Sequence, residues 1–297
     1  RQMCIRDRLC TARWMQYLGF SPKRDFRVVI MRGEEEGLLG SLGMLGQLTE
    51  DDLSRRMRSG SAGPTLRELL TGIGVDPAAV SSGKHCVDFA KIAAFIEVHI
   101  EQSARLDNAV TDRVGVVTGI RGLIRHRTIQ AIGETAHAGA VDFPYRKDAA
   151  LACARFSSRL YDFWQHELSL GRDLVATTGV IRTSPSASMN KIAGECIVSL
   201  DARSLSAAEL NLFEKKVEAI LQETAEETGV IFKTDPLMRI APVEADEGVM
   251  KKLEMSADIL KIGTQRMPSG AGHDAMNFAA AGVPFAMLFV ANRFGSH

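Results

Sequence analysis

Hydrophobic and polar residues alternate over residues 94–101, and this period of two predicts a half-buried strand. One face carries Ala94, Ile96, Val98 and Ile100, and the other carries Phe95, Glu97, His99 and Glu101. A histidine flanked by carboxylates loses hydration at the end of such a strand, and a bound metal or substrate would offset that loss. A solvated polar face on an edge strand is an equally good interpretation of this segment alone.

A second set of patterns predicts an inserted domain over residues 115–235. Alternation predicts strands over 122–131, 174–181, 195–203 and 230–233, and helical spacing predicts helices over 146–167 and 206–229. Ser206 and Glu209 are expected to form a capping box at the start of the second helix, and Gly229 to end it. The order strand, helix, strand, strand, helix, strand is that of a ferredoxin-like domain.

The flanking segments predict an α/β domain with a mixed sheet, split into residues 1–114 and 236–297. A predicted strand over 25–31 leads into the turn Gly33-Glu-Glu-Glu-Gly37, and short helices are predicted over 49–58 and 66–73. After the insertion we expect a helix over 247–262, a glycine-rich turn over 269–274 that opens another helix, and a buried strand over 284–290.

Composition narrows the function classes. The chain has 297 residues with 36 basic and 36 acidic side chains, so no net field favours nucleic acid or an anionic membrane. The longest apolar run, 278–291, is too short to span a bilayer. Five scattered cysteines argue against a disulfide framework and a thiolate zinc site, which favours the cytoplasm.

The first eight residues are typical of foreign sequence joined to a fragment.

Three places carry candidate chemistry. The three glutamates 34–36 follow a predicted strand, where α/β sheets place their sites, although a solvated acidic turn is the favoured interpretation of these residues alone. His137 lies among small residues that let a ligand approach, or it is an ordinary turn histidine. His273 and Asp274 lie at a predicted helix amino terminus that suits an anion, or Asp274 is a plain cap.

A series of motifs occurs in a recognisable order along the chain: Glu35-Glu36-Gly37, His99-Ile-Glu-Gln102, His137-Ala-Gly139, Arg146-Lys-Asp-Ala149, Asn190, Asp201-Ala-Arg203, Ser269-Gly-Ala-Gly-His-Asp-Ala275 and Gly295-Ser-His297. With them the chain resembles the hydantoinase/carbamoylase family of amidohydrolases, in the clan of dinuclear zinc aminoacylases and exopeptidases. That family includes N-carbamoyl-L-amino acid hydrolases, allantoate amidohydrolases and β-ureidopropionases. The resemblance runs from about Leu9 to His297.

The resemblance implies a catalytic α/β domain that holds two metal ions and an inserted lid domain that also forms a homodimer. Glu35 is then the general base, and His137 reaches a neighbouring subunit's site to stabilise the oxyanion. The implied metal ligands are Glu36, His99 and His297. The implied substrate-binding residues are Gln102, Asn190, Arg203, Gly272 and His273, with Arg203 suited to a carboxylate.

The implied reaction is metal-dependent hydrolysis of the carbamoyl or ureido C–N bond of N-carbamoyl amino acids or allantoate-like ureido acids. Two divalent ions that share a water lower its pKa and polarise the ureido carbonyl, and Glu35 passes the proton to the leaving nitrogen. Imidazole and carboxylate ligands suit zinc or manganese, and also nickel or cobalt. Glu34 with Glu35 is the alternative base and ligand pair.

The chain also departs from the family pattern. The family requires a histidine and a bridging aspartate well upstream of the glutamate pair, and residues 1–34 contain no histidine. We therefore expect an internal fragment, truncated at both ends and itself inactive, whose activity belongs to the full-length parent. An aminoacylase or dipeptidase of the same clan and a non-catalytic dimerising scaffold are the alternative functions.

Overall fold

The computed structural model describes the backbone of residues 2–57 and 63–292 and the side chains from residue 9 onward. The chain divides into two compact units, residues 1–120 with 244–297, and residues 121–243. These boundaries differ from the predicted 115 and 235. The difference at the first boundary arises because the strand Asp112–Ile120 pairs along its length with strands of the first unit.

The first unit is built around a mixed sheet. Its strands are β1 (Phe95–Ile100), β2 (Asp112–Ile120), β12 (Gly263–Ser269) and β13 (Phe285–Val290), and the short β11 (Val243–Glu244) lies at the boundary. β13 lies between β1 and β2, parallel to β1 and antiparallel to β2, and β12 pairs with β2 in parallel. Its helices are α1 (Gln2–Tyr17), α2 (Leu39–Met44), α3 (Glu50–Ser54), α4 (Leu66–Gly72), α5 (Pro77–Val80), α6 (Arg105–Asn108), α9 (Glu247–Ile259) and α10 (Asp274–Ala280).

Three strands of this sheet, β2, β12 and the two-residue β11, were absent from the sequence prediction. β2 is central and both of its faces are covered, so Val116, Val117 and Ile120 are all fully buried and no alternation marks the strand. β12 is polar in composition and contains Pro268 where its register against β2 shifts.

The predicted strand over 25–31 is wrong. These residues form an irregular segment with Phe26 and Ile30 exposed, and no strand pairing involves them in the described part of the chain. A strand needs a neighbour for its backbone hydrogen bonds, and an apolar run does not supply one. Helices predicted at 49–58 and 66–73 form as the shorter α3 and as α4, each opened by a threonine capping box.

The second unit has the ferredoxin-like arrangement. Its main elements are β3 (Gly122–Ile132), α7 (Ala149–Ser169), β5 (Val175–Thr177), β6 (Ile181–Thr183), β8 (Glu195–Ser204), α8 (Ala207–Thr228) and β9 (Ile231–Thr234), with the short strands β4 (Ala136–His137), β7 (Lys191–Ile192) and β10 (Met238–Ile240). All pairings are antiparallel, in the spatial order β9, β3, β8, then β5 and β6. The predicted strand over 174–181 is divided in two.

One face of this sheet carries the core. Along β8 every second residue from Cys196 to Ser204 is buried, and these side chains pack with Phe156 of α7 and Phe213 of α8. The opposite face of β8, including Asp201 and Arg203, is half-buried. The alternation predicted for β8 therefore separates the packing residues from the polar ones.

The start of α8 differs from the prediction in one bond. Ser206 Oγ accepts from the amide of Glu209, as an N-cap should. The Glu209 carboxylate accepts from Ser204 Oγ at 3.0 Å, and the Ser206 amide also donates to Ser204 Oγ, so the reciprocal half of the capping box is replaced by Ser204. Gly229 ends the helix in the left-handed conformation at φ 65°.

We expect Gly133→Ala to lower the free energy of unfolding by roughly 1–3 kcal/mol, because a Cβ there would lie 2.0 Å from the Lys147 carbonyl oxygen. Urea denaturation followed by circular dichroism measures the change. Gly179→Ala is the control in the same unit, since its Cβ would meet only atoms 4.0 Å away. Equal stability of the two variants would contradict the close approach at Gly133.

Candidate active site

The polar face of β1 is not solvated, and the other face is also partly buried, with Ile100 8% exposed. Glu97 and Glu101 are each only 6% exposed, whereas Ile96 on the other face is 47% exposed. The interpretation of this segment as a solvated polar face is therefore wrong. A buried carboxylate is stable only when hydrogen-bond donors replace its water, so the partners of these glutamates organise their surroundings.

Both carboxylates accept from backbone amides in the first turn of a helix. Glu97 Oε2 accepts from the Ala275 amide of α10 at 3.0 Å. Glu101 accepts from the Arg105 and Leu106 amides of α6 at 3.0 and 2.8 Å. Amides at the start of a helix have no intrahelical partner and carry partial positive charge, so each contact satisfies both groups. β1 thereby fixes the position of two helices.

His99 is presented with one nitrogen fixed. Its Nδ1 lies 2.8 Å from the Ile100 carbonyl oxygen, which can only accept, so Nδ1 carries the proton. In a neutral ring Nε2 is then a lone-pair donor, the form required of an imidazole ligand. The ring of His273 lies at a centroid distance of 4.6 Å from the ring of His99, at 61°. Two of the predicted site residues are thus adjacent.

The glycine-rich turn before α10 holds His273 in the interior. The His273 side chain is 1% exposed, and its Nε2 lies 2.9 Å from Ser269 Oγ, itself fully buried. A Cβ on Gly272 would make ordinary contact with Met276 at 3.6 Å, so local packing does not demand a glycine there. The N-cap residue is His273, and Asp274 is the first helical residue.

Sequence reasoning missed the residues that hold Asp274. Ser41 Oγ of α2 donates to Asp274 Oδ1 at 2.5 Å, and Asn277 Nδ2 donates to Ser41 Oγ at 2.8 Å. Asp274 and Asn277 share one face of α10 by their spacing of three, which is a weak signal. Ser41 lies more than 230 positions away in sequence, so no local pattern marks it.

The three glutamates 34–36 lie in a turn that follows the irregular segment. Glu35 is exposed, Glu34 and Glu36 are half-buried, and the Glu36 carbonyl accepts from Arg55. Gln102 lies two residues after the end of β1 and has a left-handed backbone with φ 59°, a strained conformation for a residue with a side chain.

The described residues fit a metal centre only in part. His99 has the tautomer of a ligand, but in the described ranges no three His, Cys, Asp or Glu side chains form a group that could hold a metal. The third predicted ligand, His297, lies outside the described residues. The segment that was expected to bring Glu36 to the sheet edge as a strand is irregular, which removes that rigid support.

In the second unit, His137 of β4 lies opposite Lys191 of β7, and Asn190 directly precedes Lys191. β4 pairs with β7, and the Ala138 amide donates to the Asn190 carbonyl at 2.9 Å. The Gly139 amide donates to His137 Nδ1 at 3.1 Å, so in the neutral ring Nε2 carries the proton and is a hydrogen-bond donor. His137 is exposed, and the Asn190 amide oxygen accepts from Ser188 Oγ at 2.8 Å.

Arg203 on β8 is held by a carboxylate two residues earlier. Its Nε donates to Asp201 Oδ1 at 2.6 Å and its Nη2 to Asp201 Oδ2 at 3.2 Å, and Arg125 of β3 donates to the same carboxylate through Nε at 2.8 Å. Burial alone would raise the pKa of Asp201. The hydrogen bonds and charges of Arg203 and Arg125 outweigh burial and hold that pKa below its usual value of 3.8.

A model described as peptidase family M20/M25/M40 matches residues 8–297. The chain belongs to this family. The N-carbamoyl-L-amino-acid amidohydrolase of Paenarthrobacter aurescens is 28% identical to this M20 chain over 289 residues, covering 96% of the chain and 68% of that protein. The allantoate amidohydrolase of Bacillus subtilis (strain 168) is 31% identical over 283 residues, covering 93% and 65%.

A solved structure agrees with these relatives. The crystal structure of an amidase of the hydantoinase/carbamoylase family from Burkholderia multivorans has a TM-score of 0.81 to this M20 chain at 27% identity, covering 95% of the chain and 66% of that structure. The predicted resemblance to that family and the mixed α/β fold are therefore confirmed. The M20 chain spans between 57% and 68% of the length of the curated relatives that it matches.

We expect Glu97→Ala to lower the free energy of unfolding by about 1–3 kcal/mol, because the Ala275 amide loses a buried acceptor. Glu97→Gln is the matched variant, since it keeps an acceptor oxygen and nearly the same volume, and it should lose less. Chemical denaturation measures both. If the denaturation midpoint of Glu97→Ala equals that of wild type, the contact with α10 contributes nothing to stability.

We expect the stability difference between wild type and Asp201→Asn to depend on pH. The lowered folded-state pKa means that the Asp201 contribution is fully present above its unfolded value of 3.8 and is lost as pH falls through the folded value. Urea midpoints measured from pH 7 down to about pH 2.5 should converge at the acid end. Asp162→Asn, on the exposed side of α7, is the control and should leave the urea midpoint at pH 7 near that of wild type.

Proposed function

We propose that this M20 chain is the greater part of a metal-dependent amidohydrolase that cleaves the carbamoyl or ureido C–N bond of N-carbamoyl amino acids or allantoate-like ureido acids. The observation that carries the proposal is the similarity, over 93–96% of the chain, to relatives named N-carbamoyl-L-amino-acid amidohydrolase and allantoate amidohydrolase. An Arabidopsis thaliana relative, 30% identical, is named ureidoglycolate hydrolase, which is also a ureido acid enzyme.

The metal centre in this proposal uses Glu36, His99 and His297. The tautomer of His99 supports its part, because Nδ1 donates to the Ile100 carbonyl, so the lone pair that a metal requires is on Nε2. Two bound divalent ions, zinc or manganese for these ligand types and also nickel or cobalt, would activate water and polarise the ureido carbonyl.

The proton transfers in this proposal belong to Glu35, which accepts the proton of the attacking water and delivers it to the leaving nitrogen. Its exposed position in the turn supports access to solvent. His137 donates Nε2–H to the oxygen that becomes negative as the carbonyl is attacked. The hydrogen bond from the Gly139 amide supports this role, because Nδ1 accepts it and the proton of the neutral ring is therefore on Nε2.

Substrate orientation in this proposal is assigned to five residues. Arg203 binds the substrate carboxylate, and Gln102, Asn190, Gly272 and His273 orient the ureido group. We further propose that the second unit is a lid that forms a homodimer. The described residues contain no helix long and apolar enough to cross a membrane. A cytoplasmic location stays a prediction.

We expect the protein encoded by the complete reading frame that contains this sequence to release ammonia from N-carbamoyl-L-amino acids or allantoate after incubation with Mn²⁺ or Zn²⁺. Chelation should abolish the activity, and Glu35→Gln should lower kcat by roughly 10²–10⁴-fold through loss of the base. A coupled assay for ammonia measures the rates.

The matched control is Glu34→Gln, one position away in the same turn. It should retain near wild-type kcat if Glu35 and Glu36 are the base and ligand, whereas a loss as large as that of Glu35→Gln would support the pair Glu34 and Glu35. Release of free amino acids from dipeptides without ammonia would instead support an aminoacylase or dipeptidase. Carboxylate binding without turnover of any of these compounds would support a scaffold.

A further inference from the structure

We propose that Asp201, itself held by Arg125, is a positioning residue that orients the Arg203 guanidinium for the substrate carboxylate. This inference deepens the proposed function and rests on it. The three side chains belong to neighbouring strands of one sheet in the second unit, on the face opposite its hydrophobic core.

Strand register brings these residues together. Asp201 and Arg203 are two residues apart on β8, so they point to the same side of the sheet. Arg125 of β3 lies directly opposite Asp201 in the antiparallel ladder. The residues between and beside them on β8, Leu200 and Ala202, point into the core and are at most 1% exposed. The backbone of the sheet therefore fixes the base of each of the three side chains.

The hydrogen bonds fix the guanidinium plane of Arg203. The Nε and Nη2 donors pair with the two carboxylate oxygens of Asp201 at 2.6 and 3.2 Å, which is the bidentate geometry that defines both position and plane. Arg125 binds Oδ2 of the same carboxylate, so Asp201 cannot rotate away without breaking contacts to both arginines. An arginine held in this way loses less side-chain freedom when it binds a carboxylate.

Arg125, Asp201 and Arg203 form a cluster whose net charge suits an anion. Two guanidinium groups share one carboxylate, so the cluster retains one positive charge. Its side chains are between 25% and 33% exposed, so it remains open to solvent. The lowered pKa of Asp201 keeps the carboxylate charged at neutral pH. The second arginine adds the charge that a substrate carboxylate would neutralise.

The test compares binding of two probes to the full 297-residue chain by isothermal titration calorimetry. The probes are N-carbamoyl-L-alanine and its primary amide, which lacks the carboxylate. We expect Asp201→Asn to weaken binding of the acid about tenfold, equivalent to about 1.4 kcal/mol, and to leave binding of the amide unchanged. Simple electrostatics predicts the opposite sign, because removing a negative charge beside Arg203 should strengthen binding of an anion.

Two further measurements separate positioning from folding. The Arg203 Nε–H signal in a ¹H–¹⁵N spectrum, assigned by its loss in Arg203→Lys, should move and exchange faster with solvent in Asp201→Asn. Asp201→Glu restores the charge and should recover part of the affinity for the acid. If Asp201→Asn fails to fold, Arg125→Lys keeps the charge but loosens the same carboxylate, and it should show the same selective loss for the acid in weaker form.

The outcomes are distinguishable. A wild-type chain that binds neither probe would overturn this inference, whereas the ammonia assay on the protein of the complete reading frame tests the proposed function separately. A wild-type chain that binds the acid, combined with an Asp201→Asn variant that binds it equally or more tightly, would overturn the positioning role alone. Equal weakening for the acid and the amide would also overturn it, because a general structural defect does not distinguish the two probes.

Discussion

The contact between the Glu97 carboxylate and the Ala275 amide joins the strand that presents His99 to the helix that follows His273. A charged group at 6% exposure is tolerated only with donors in place, so this contact constrains where α10 can begin relative to β1. The approach of the two imidazole rings to 4.6 Å depends on that constraint. Ser41 adds a second link to α10, from α2 to Asp274, so the start of this helix is held on two sides.

The second unit positions its polar side chains through strand alternation rather than through buried carboxylates. Its sheet separates packing from chemistry by the simple alternation of β8, with core residues on one face and Asp201 and Arg203 on the other. Polar groups on an antiparallel sheet are rigid because each strand is fixed by two neighbours. In the short β4 and β7 pair, backbone pairing brings the segment of His137 to the segment of Asn190, although these residues are more than fifty positions apart in sequence.

Much of the second unit follows from local pattern. The elements β3, α7, β8, α8 and β9 were all predicted, because each buries one face and therefore shows a clear period. The exceptions have physical causes: Ser204 takes the role expected of the Glu209 side chain, and the strand expected over 174–181 is divided into β5 and β6. The first unit was harder, since β2 is covered on both faces and the apolar segment 25–31 has no strand partner in the described part of the chain.

The order of motifs around His99, His137, Asn190, Arg203 and His273 was sufficient to indicate the family and to nominate site residues, because residue type and spacing are properties of the chain itself. The protonated nitrogen of His99, the burial of Glu97 and the residues that hold Asp274 and Arg203 were decided only in three dimensions. The Ile100 carbonyl beside His99 and the Asp201 carboxylate beside Arg203 are near in sequence, but their contacts depend on the backbone conformation. Other contacts join distant segments, such as Ser41 with Asp274 and Arg125 with Asp201. No local period records such partners, because hydrogen bonds between strands and helices form only when the fold has brought them together.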